Sequence, residues 1–165
     1  MDTFARIAPG CANTGRRTLL LGTLAFGLPR SASAQFAEPT PLVEVWKSPT
    51  CGCCKDWVAH MQANGFRVKV NEVGNAEARA RLGIAEKYGS CHTAVVAGYA
   101  LEGHVPAGDI HRLLKERPAA LGLAVPGMPI GSPGMDGPEY KGRKDPYDVL
   151  LLQANRTASV YQRYR

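Results

Sequence analysis

Three cysteines lie within four residues of this chain, in the run Cys51-Gly52-Cys53-Cys54, and a fourth follows at Cys91. A deprotonated cysteine sulfur is both a strong nucleophile and a soft metal ligand. An even number of cysteines in an exported protein usually indicates structural disulfides. Disulfides between cysteines this close in sequence would close very small rings and add little stability. The spacing therefore favours reactive or metal-binding sulfurs over structural disulfides.

The cysteine run lies between a predicted strand and a predicted helix. Residues 42–46 alternate with β-branched side chains, which is typical of a strand, and residues 55–63 have apolar side chains at helical spacing. The start of a helix favours thiolate, because its dipole and free N–H groups stabilise negative charge. Further elements are predicted as a strand at 66–70, a short helix capped by Asn75 and reaching 82, strands at 91–96 and 99–102, and a helix from Pro106 to just before Pro118.

The last part of the chain departs from this alternation. Residues 126–138 hold four glycines and four prolines together with Met128 and Met135, so they are predicted to form a loop. Residues 147–152 and 157–164 are predicted to form a C-terminal β-hairpin, with its turn at Ala154-Asn155.

The predicted order β-α-β-α-β-β-α is the plan of the thioredoxin-like α/β folds. Cys51-Gly52-Cys53-Cys54-Lys55 resembles the Cys-Gly-Pro-Cys-Lys site of thioredoxins, with a cysteine in place of the proline. His92-Thr93 stands where thioredoxins carry a cis-proline and a threonine before their third strand. The resemblance implies that Cys91 lies beside the Cys51–Cys54 loop, so that four sulfurs converge.

Four converging sulfurs fit some chemistries better than others. Thiol–disulfide exchange needs only an attacking and a resolving sulfur, for which Cys51 and Cys54 suffice. Zinc sites usually take cysteines two to four residues apart, and the adjacent Cys53 and Cys54 fit one zinc ion poorly together with Cys51. Soft thiolates select Cu(I), and adjacent cysteines can bridge neighbouring ions. A cluster of several Cu(I) ions on Cys51, Cys53, Cys54 and Cys91 therefore uses every sulfur.

Three other hypotheses stay open. The first is a thiol–disulfide oxidoreductase in which Cys51 and Cys54 are catalytic. The second combines both roles, with the sulfurs alternating between a disulfide form and a copper-loaded form, which would make the protein a copper oxidoreductase. The third is a disulfide-stapled domain that binds partner proteins without metal.

The chain from about residue 43 to residue 136 resembles the CopG-type periplasmic proteins found with copper-resistance systems, the domain of unknown function 411 family. The matching stretches are 46–54, Ser90-Cys91-His92-Thr93-Ala94, Gly103-His104-Val105-Pro106-Ala107, and 125–129 through Gly134-Met135. The resemblance implies a thioredoxin-like domain that binds copper through the Cys-x-Cys-Cys motif and the distant Cys91. It also implies copper handling or copper redox conversion, alongside other periplasmic copper-handling proteins.

The sequence offers weaker ligand candidates besides the cysteines. Met128 and Met135 carry thioethers of the kind that copper proteins use, and they lie in the one long predicted loop. They can equally be core-packing residues. His92 flanks Cys91 and can serve as a ligand or proton relay, or as a structural residue. His104 is interpreted as a structural hydrogen-bonding residue at a strand end.

The first 34 residues are predicted to be a signal for export, leaving a copper-binding domain at 35–165 in the periplasm. Arg16-Arg17 precedes an apolar run at 18–28, and Ala32-Ser33-Ala34 is a typical cleavage site. The paired arginines resemble a twin-arginine signal, although Gly15 replaces the usual Ser or Thr, which leaves the general secretory route open. Eleven apolar residues are too few to span a bilayer, which needs about 20, so no membrane anchor is expected after cleavage.

Composition and charge narrow the partners further. The chain has 165 residues, of which 45% are hydrophobic and 21% are charged, as in an ordinary globular domain. Its formal charge of +6 falls to +3 without the first 34 residues, which contain four arginines and one aspartate. The remainder has no cluster of basic residues with interleaved aromatics, so nucleic acid is not an expected partner.

Overall fold

The computed structural model of the chain describes residues 40–165, and the predicted export segment lies outside them. The described part is a mixed α/β structure with three helices and one seven-stranded sheet. The helices are α1 (Gly52–Ala63), α2 (Ala76–Arg81) and α3 (Ala107–Glu116). The strands are β1 (Leu42–Lys47), β2 (Arg67–Asn71), β3 (His92–Val96), β4 (Tyr99–Glu102), β5 (Gly122–Ala124), β6 (Tyr147–Leu152) and β7 (Ala158–Tyr164). Within residues 40–165 no helix has the length and apolar character that crossing a membrane requires.

The strands lie in the order β2-β1-β3-β4-β5-β6-β7 across the sheet. The pairs β1–β2 and β4–β5 are parallel, and the other neighbours are antiparallel. The last residue of β1, Lys47, pairs with the first residue of β3, His92. At the ends of β4 and β5, Glu102 pairs with Ala124. The segments that follow β1, β4 and β5 therefore leave the sheet at the edge where the chain enters β3.

The element order through α3 agrees with the sequence prediction, and so does the C-terminal hairpin of β6 and β7. Two details differ. The short strand β5 was not predicted, because three residues, one of them glycine, are too few for a periodicity signal. Asn75 precedes α2 but its side chain does not cap the helix, since its amide donates to the Ser90 carbonyl and the Thr93 hydroxyl instead.

A hydrophobic core lies between the sheet and the helices. Helix α1 contributes the fully buried Trp57 and Met61, which lie on one face at helical spacing. Helix α3 contributes Ile110 and Leu113 in the same way. Strand β5 contributes Leu123 to this cluster, so the unpredicted strand joins the first four strands to the hairpin through both its backbone and its side chain.

Replacement of the fully buried Leu123 tests the contribution of β5 to stability. We expect Leu123→Ala to lower the free energy of unfolding by about 2–5 kcal/mol, because it removes buried methyl groups and leaves a cavity. Chemical denaturation measures this change. The exposed Leu42 provides the control, and Leu42→Ala should change stability by no more than about 0.5 kcal/mol. Equal effects of the two variants would contradict this role for β5.

Candidate metal centre

Four cysteine sulfurs meet at the shared edge of the sheet. The turn after β1 carries Cys51, the first turn of α1 carries Cys53 and Cys54, and Cys91 directly precedes β3. The four sulfur atoms all lie within 4.8 Å of one another. The sequence-based expectation that Cys91 approaches the cysteine run is met by this geometry.

Two of the four sulfurs are joined in this structure and two are free thiols. Cys51 and Cys54 form a disulfide whose Cα atoms lie 5.4 Å apart. Cys53 and Cys91 are free, and their Sγ atoms are 3.9 Å apart. The Cys53 Sγ also lies 3.5 Å from the Cys51 Sγ. The site therefore has one disulfide-bonded pair of cysteines and a pair of free thiols beside it.

Helix α1 begins at these cysteines for local reasons. Cys51 is the N-cap residue with extended backbone angles, and its N–H donates to the Ser48 carbonyl at 3.2 Å, which closes the turn after β1. The side chain of Cys54 faces the core, and its Sγ lies 3.6 Å from the Cys91 carbonyl. Since the first N–H groups of a helix lack intrahelical partners, this end of α1 presents partial positive charge to the sulfurs.

His104 adds a nitrogen to the sulfur cluster. It follows β4 and is fully buried. Its Nδ1 lies 2.8 Å from the Pro133 carbonyl, which can only accept, so Nδ1 carries the proton and Nε2 presents a lone pair. That Nε2 lies 3.1 Å from the Cys91 Sγ. His104 thus has the structural hydrogen bond that was predicted, and it is also a candidate ligand that sequence reasoning missed.

His92 is the second imidazole at the site. It is fully buried, packs 4.4 Å from the Trp57 ring between ring centroids, and lies 3.5 Å from the Cys91 Sγ through Nδ1. Its Nε2 has no hydrogen-bond partner within the described part of the chain. Cys91, His92 and His104 form a second group whose ligand atoms lie within 4.8 Å of one another.

Burial controls the protonation of these groups. Burial raises the pKa of the Cys91 thiol to about 12, and the nearby Cys53 adds to the rise. Burial also lowers the pKa of His104, and it lowers that of His92 well below the ordinary value, with the neighbouring His104 contributing. At neutral pH the site therefore holds a protonated Cys91 beside neutral imidazoles, and the thiol can donate to the His104 Nε2.

The long loop after β5 folds back over the start of α1. Gly134 has a φ of +83°, and a Cβ at this position would lie 2.5 Å from the Cys53 carbonyl oxygen, so a larger residue does not fit. The next residue, Met135, is largely buried, and its sulfur accepts a hydrogen bond from the Tyr140 hydroxyl at 3.5 Å. Met128 is 51% exposed and lines a shallow cleft with Cys91. The two methionines thus differ in exposure, since Met135 is packed and Met128 is open to solvent.

The donor set as a whole suits a soft metal. Thiolate sulfur and neutral imidazole nitrogen bind Cu(I) or Zn²⁺, whereas hard cations prefer oxygen ligands. The disulfide must be reduced before all four sulfurs can act as ligands. The cluster can therefore bind metal, and its number of sulfur ligands depends on its oxidation state.

Comparison with known proteins gives the following matches. Residues 88–135 match the family described as a protein of unknown function, DUF411. Two solved structures of the copper resistance protein CopG, forms 1 and 2, are 46% and 45% identical to this chain. Form 1 matches 74% of this chain and 96% of its own length with a TM-score of 0.68, and form 2 matches 76% and 98% with a TM-score of 0.69. No curated protein matches the chain.

The raised pKa of Cys91 predicts how the reactivity of this thiol depends on pH. Because the pKa is raised to about 12, the thiolate fraction is small at neutral pH and should grow about tenfold per pH unit between about pH 7 and about pH 10. Alkylation of Cys91 by iodoacetamide, followed by peptide mass spectrometry, measures this rate. In urea the alkylation rate of the same thiol should level off just above its ordinary pKa of about 8.5. A plateau at that pH in the folded protein would contradict the prediction.

Proposed function

We infer that this chain, which belongs to the family of CopG-type copper-resistance proteins, binds Cu(I) through its cysteine cluster. The observation that supports this function most directly is the convergence of four cysteine sulfurs within 4.8 Å. In the reduced state they offer four thiolates, whose negative charge several Cu(I) ions can neutralise together. The physiological role would be copper resistance or copper homeostasis.

The ligand set proposed for copper is Cys51, Cys53, Cys54 and Cys91, with His104 as an added nitrogen donor. Further candidates are the buried His92 and Met135 and the exposed Met128. Zinc is disfavoured because one tetrahedral ion cannot easily take Cys51 together with the adjacent pair Cys53 and Cys54. Adjacent thiolates suit a cluster, since each can bridge two neighbouring ions.

The proposal includes a thioredoxin-like fold and a periplasmic location. The order β2-β1-β3-β4, with a parallel first pair and a disulfide-bonded cysteine pair at the start of α1, supports the fold assignment. The signal-like features of residues 1–34 support export. Copper ions are the proposed cargo, and other periplasmic copper-handling proteins are the proposed donors and acceptors.

Titration with Cu(I) tests the cluster. We expect the reduced protein, titrated without oxygen against a competing chelator, to bind about three or four ions tightly. Cys53→Ser should lose these ions together, because Cys53 is close to both Cys51 and Cys91. Affinity should also fall as the pH is lowered, since protons compete with metal for the thiolates.

The matched control for this experiment is Cys11→Ser in the full chain, which changes a cysteine of the predicted export segment. It should leave the copper stoichiometry unchanged. The disulfide form should bind fewer ions than the reduced form, because two of its sulfurs are bonded to each other. One ion or none in the reduced protein would refute the cluster, and so would an unchanged stoichiometry in Cys53→Ser.

A second candidate function is redox chemistry at the Cys51–Cys54 pair, which the disulfide between these residues favours. In thiol–disulfide exchange one thiolate attacks a substrate disulfide and the other resolves the mixed disulfide. In copper redox conversion, oxidation of the two thiols to the disulfide releases two electrons and two protons, and the electrons reduce two Cu(II) ions to Cu(I). The two activities share the same sulfurs.

Serine variants separate exchange from copper binding. For an exchange enzyme we expect Cys51→Ser to abolish reduction of a small disulfide by the protein, because the attacking sulfur is lost. Cys53→Ser should keep that activity while losing the copper cluster. Stopped-flow measurement of the exchange rate without copper provides the test. Equal loss of the rate in both variants would argue against Cys51 and Cys54 as an independent redox pair.

A further inference from the structure

A buried carboxylate contacts the residue that precedes Cys91. Glu102, the last residue of β4, is fully buried. Its Oε1 accepts hydrogen bonds from the Arg79 Nε at 2.9 Å and from the backbone N–H of Ser90 at 2.7 Å. Its Oε2 accepts a hydrogen bond from the Thr93 hydroxyl. A carboxylate buried in this way is costly unless every oxygen is paired, and here both are.

The same network also holds the carbonyl of Ser90. The Arg79 Nη2 donates to this oxygen, and so does the Asn75 Nδ2 at 3.1 Å. Both backbone polar groups of Ser90 are therefore fixed by side chains from α2, β4 and the residue before α2. The Ser90 carbonyl belongs to the peptide bond that leads into Cys91, so fixing it also fixes the direction in which Cys91 enters the site.

Close packing reinforces this anchor. Gly103 has a φ of +70°, and a Cβ there would lie 2.5 Å from the Ser90 Cβ. The turn after β4 therefore packs closely against Ser90. The Ser90 hydroxyl donates to the Gly127 carbonyl in the long loop. Cys91 itself precedes the first residue of β3, so it lies outside the paired residues of the sheet.

We propose that Glu102, Arg79 and Asn75 are positioning residues for the metal centre, which hold Cys91 through Ser90 at the separation from Cys53 that metal binding requires. The proposal rests on the copper-binding function proposed above. Cys91 is the only one of the four cysteines in residues 40–165 that does not come from the β1–α1 segment. Its position depends on tertiary contacts, whereas the other three share a turn and a helix.

The hydrogen bonds of this network orient the residue next to Cys91. Three hydrogen bonds from the network converge on the backbone of Ser90, the neighbour of a proposed ligand. Groups that orient metal ligands through hydrogen bonds typically change metal affinity by about 10- to 100-fold when they are removed. We therefore expect Glu102→Gln to weaken Cu(I) binding by that factor, because the neutral amide lacks the second acceptor oxygen and the charge that pairs with Arg79.

The experiment compares three variants by Cu(I) competition titration and by denaturation without copper. Glu102→Gln removes the charge, and Asn75→Ala removes one donor to the Ser90 carbonyl at a partly exposed position where folding should persist. Val149→Ala is the control, since Val149 is fully buried in β6 and lies outside the network. The first two variants should lower Cu(I) affinity, Asn75→Ala by the smaller factor, and the control should lower stability alone.

A second readout is independent of copper. Diamide oxidation should form a Cys53–Cys91 disulfide in the copper-free protein, because the two sulfurs lie 3.9 Å apart, and mass spectrometry measures its rate. Glu102→Gln and Asn75→Ala should slow this step, whereas Val149→Ala should leave it unchanged. This measurement reports the position of Cys91 even if the wild-type protein binds no Cu(I), an outcome that would refute the proposed function separately.

Two results would overturn the positioning role. One is unchanged affinity and unchanged cross-linking in both network variants. The other is losses in the network variants no larger than those of Val149→Ala at equal loss of stability. If Glu102→Gln does not fold, Asn75→Ala decides the question by the same two measurements.

Discussion

The pairing of Lys47 with His92 is the constraint on which the site depends. A strand that slips by one residue exchanges its two faces, so the buried side chains of β1 and β3 fix this register firmly. Because the pair lies at the end of β1 and the start of β3, the cysteine run and Cys91 must leave the sheet at one edge. The Glu102–Ala124 pair brings the turn after β4 and the long loop to the same place. The candidate metal centre is thus assembled by strand pairing, although Cys51 and Cys91 lie 40 residues apart in the chain.

Much of this arrangement could be predicted from the sequence, for physical reasons. The alternation of side chains before Cys51 predicts a strand, and the helical spacing of apolar side chains after it predicts a helix. The spacing of the cysteines indicates sulfur chemistry. The resemblance to thioredoxins brought Cys91 to the same site. The strand β5 could not be predicted, since three residues carry no periodicity and form a strand only because β4 and β6 lie on both sides. A local sequence pattern cannot predict an element whose structure is decided by its neighbours in space.

The same limit explains why His104 and Glu102 were missed as parts of the site. In sequence, Glu102 is a polar residue at the end of a strand, and such residues are usually exposed. Only the folded chain reveals that Arg79 and Ser90 surround its carboxylate. His104 likewise gains its orientation from the carbonyl of Pro133, 29 residues away. The sequence signals at His104 are the Gly-His pair after a strand and the family-matching stretch Gly103-His104-Val105-Pro106-Ala107, and neither distinguishes a ligand from a structural histidine.

The disulfide between Cys51 and Cys54 also has a thermodynamic consequence. A metal that requires all four thiolates binds the reduced protein and not the disulfide form, so binding and reduction favour each other by mass action. For a two-electron couple, each tenfold increase in the stabilisation of the reduced form raises the reduction potential by about 30 mV. Copper supply would thus set how oxidising the pair is, and the redox poise of the compartment would set how much copper the protein retains.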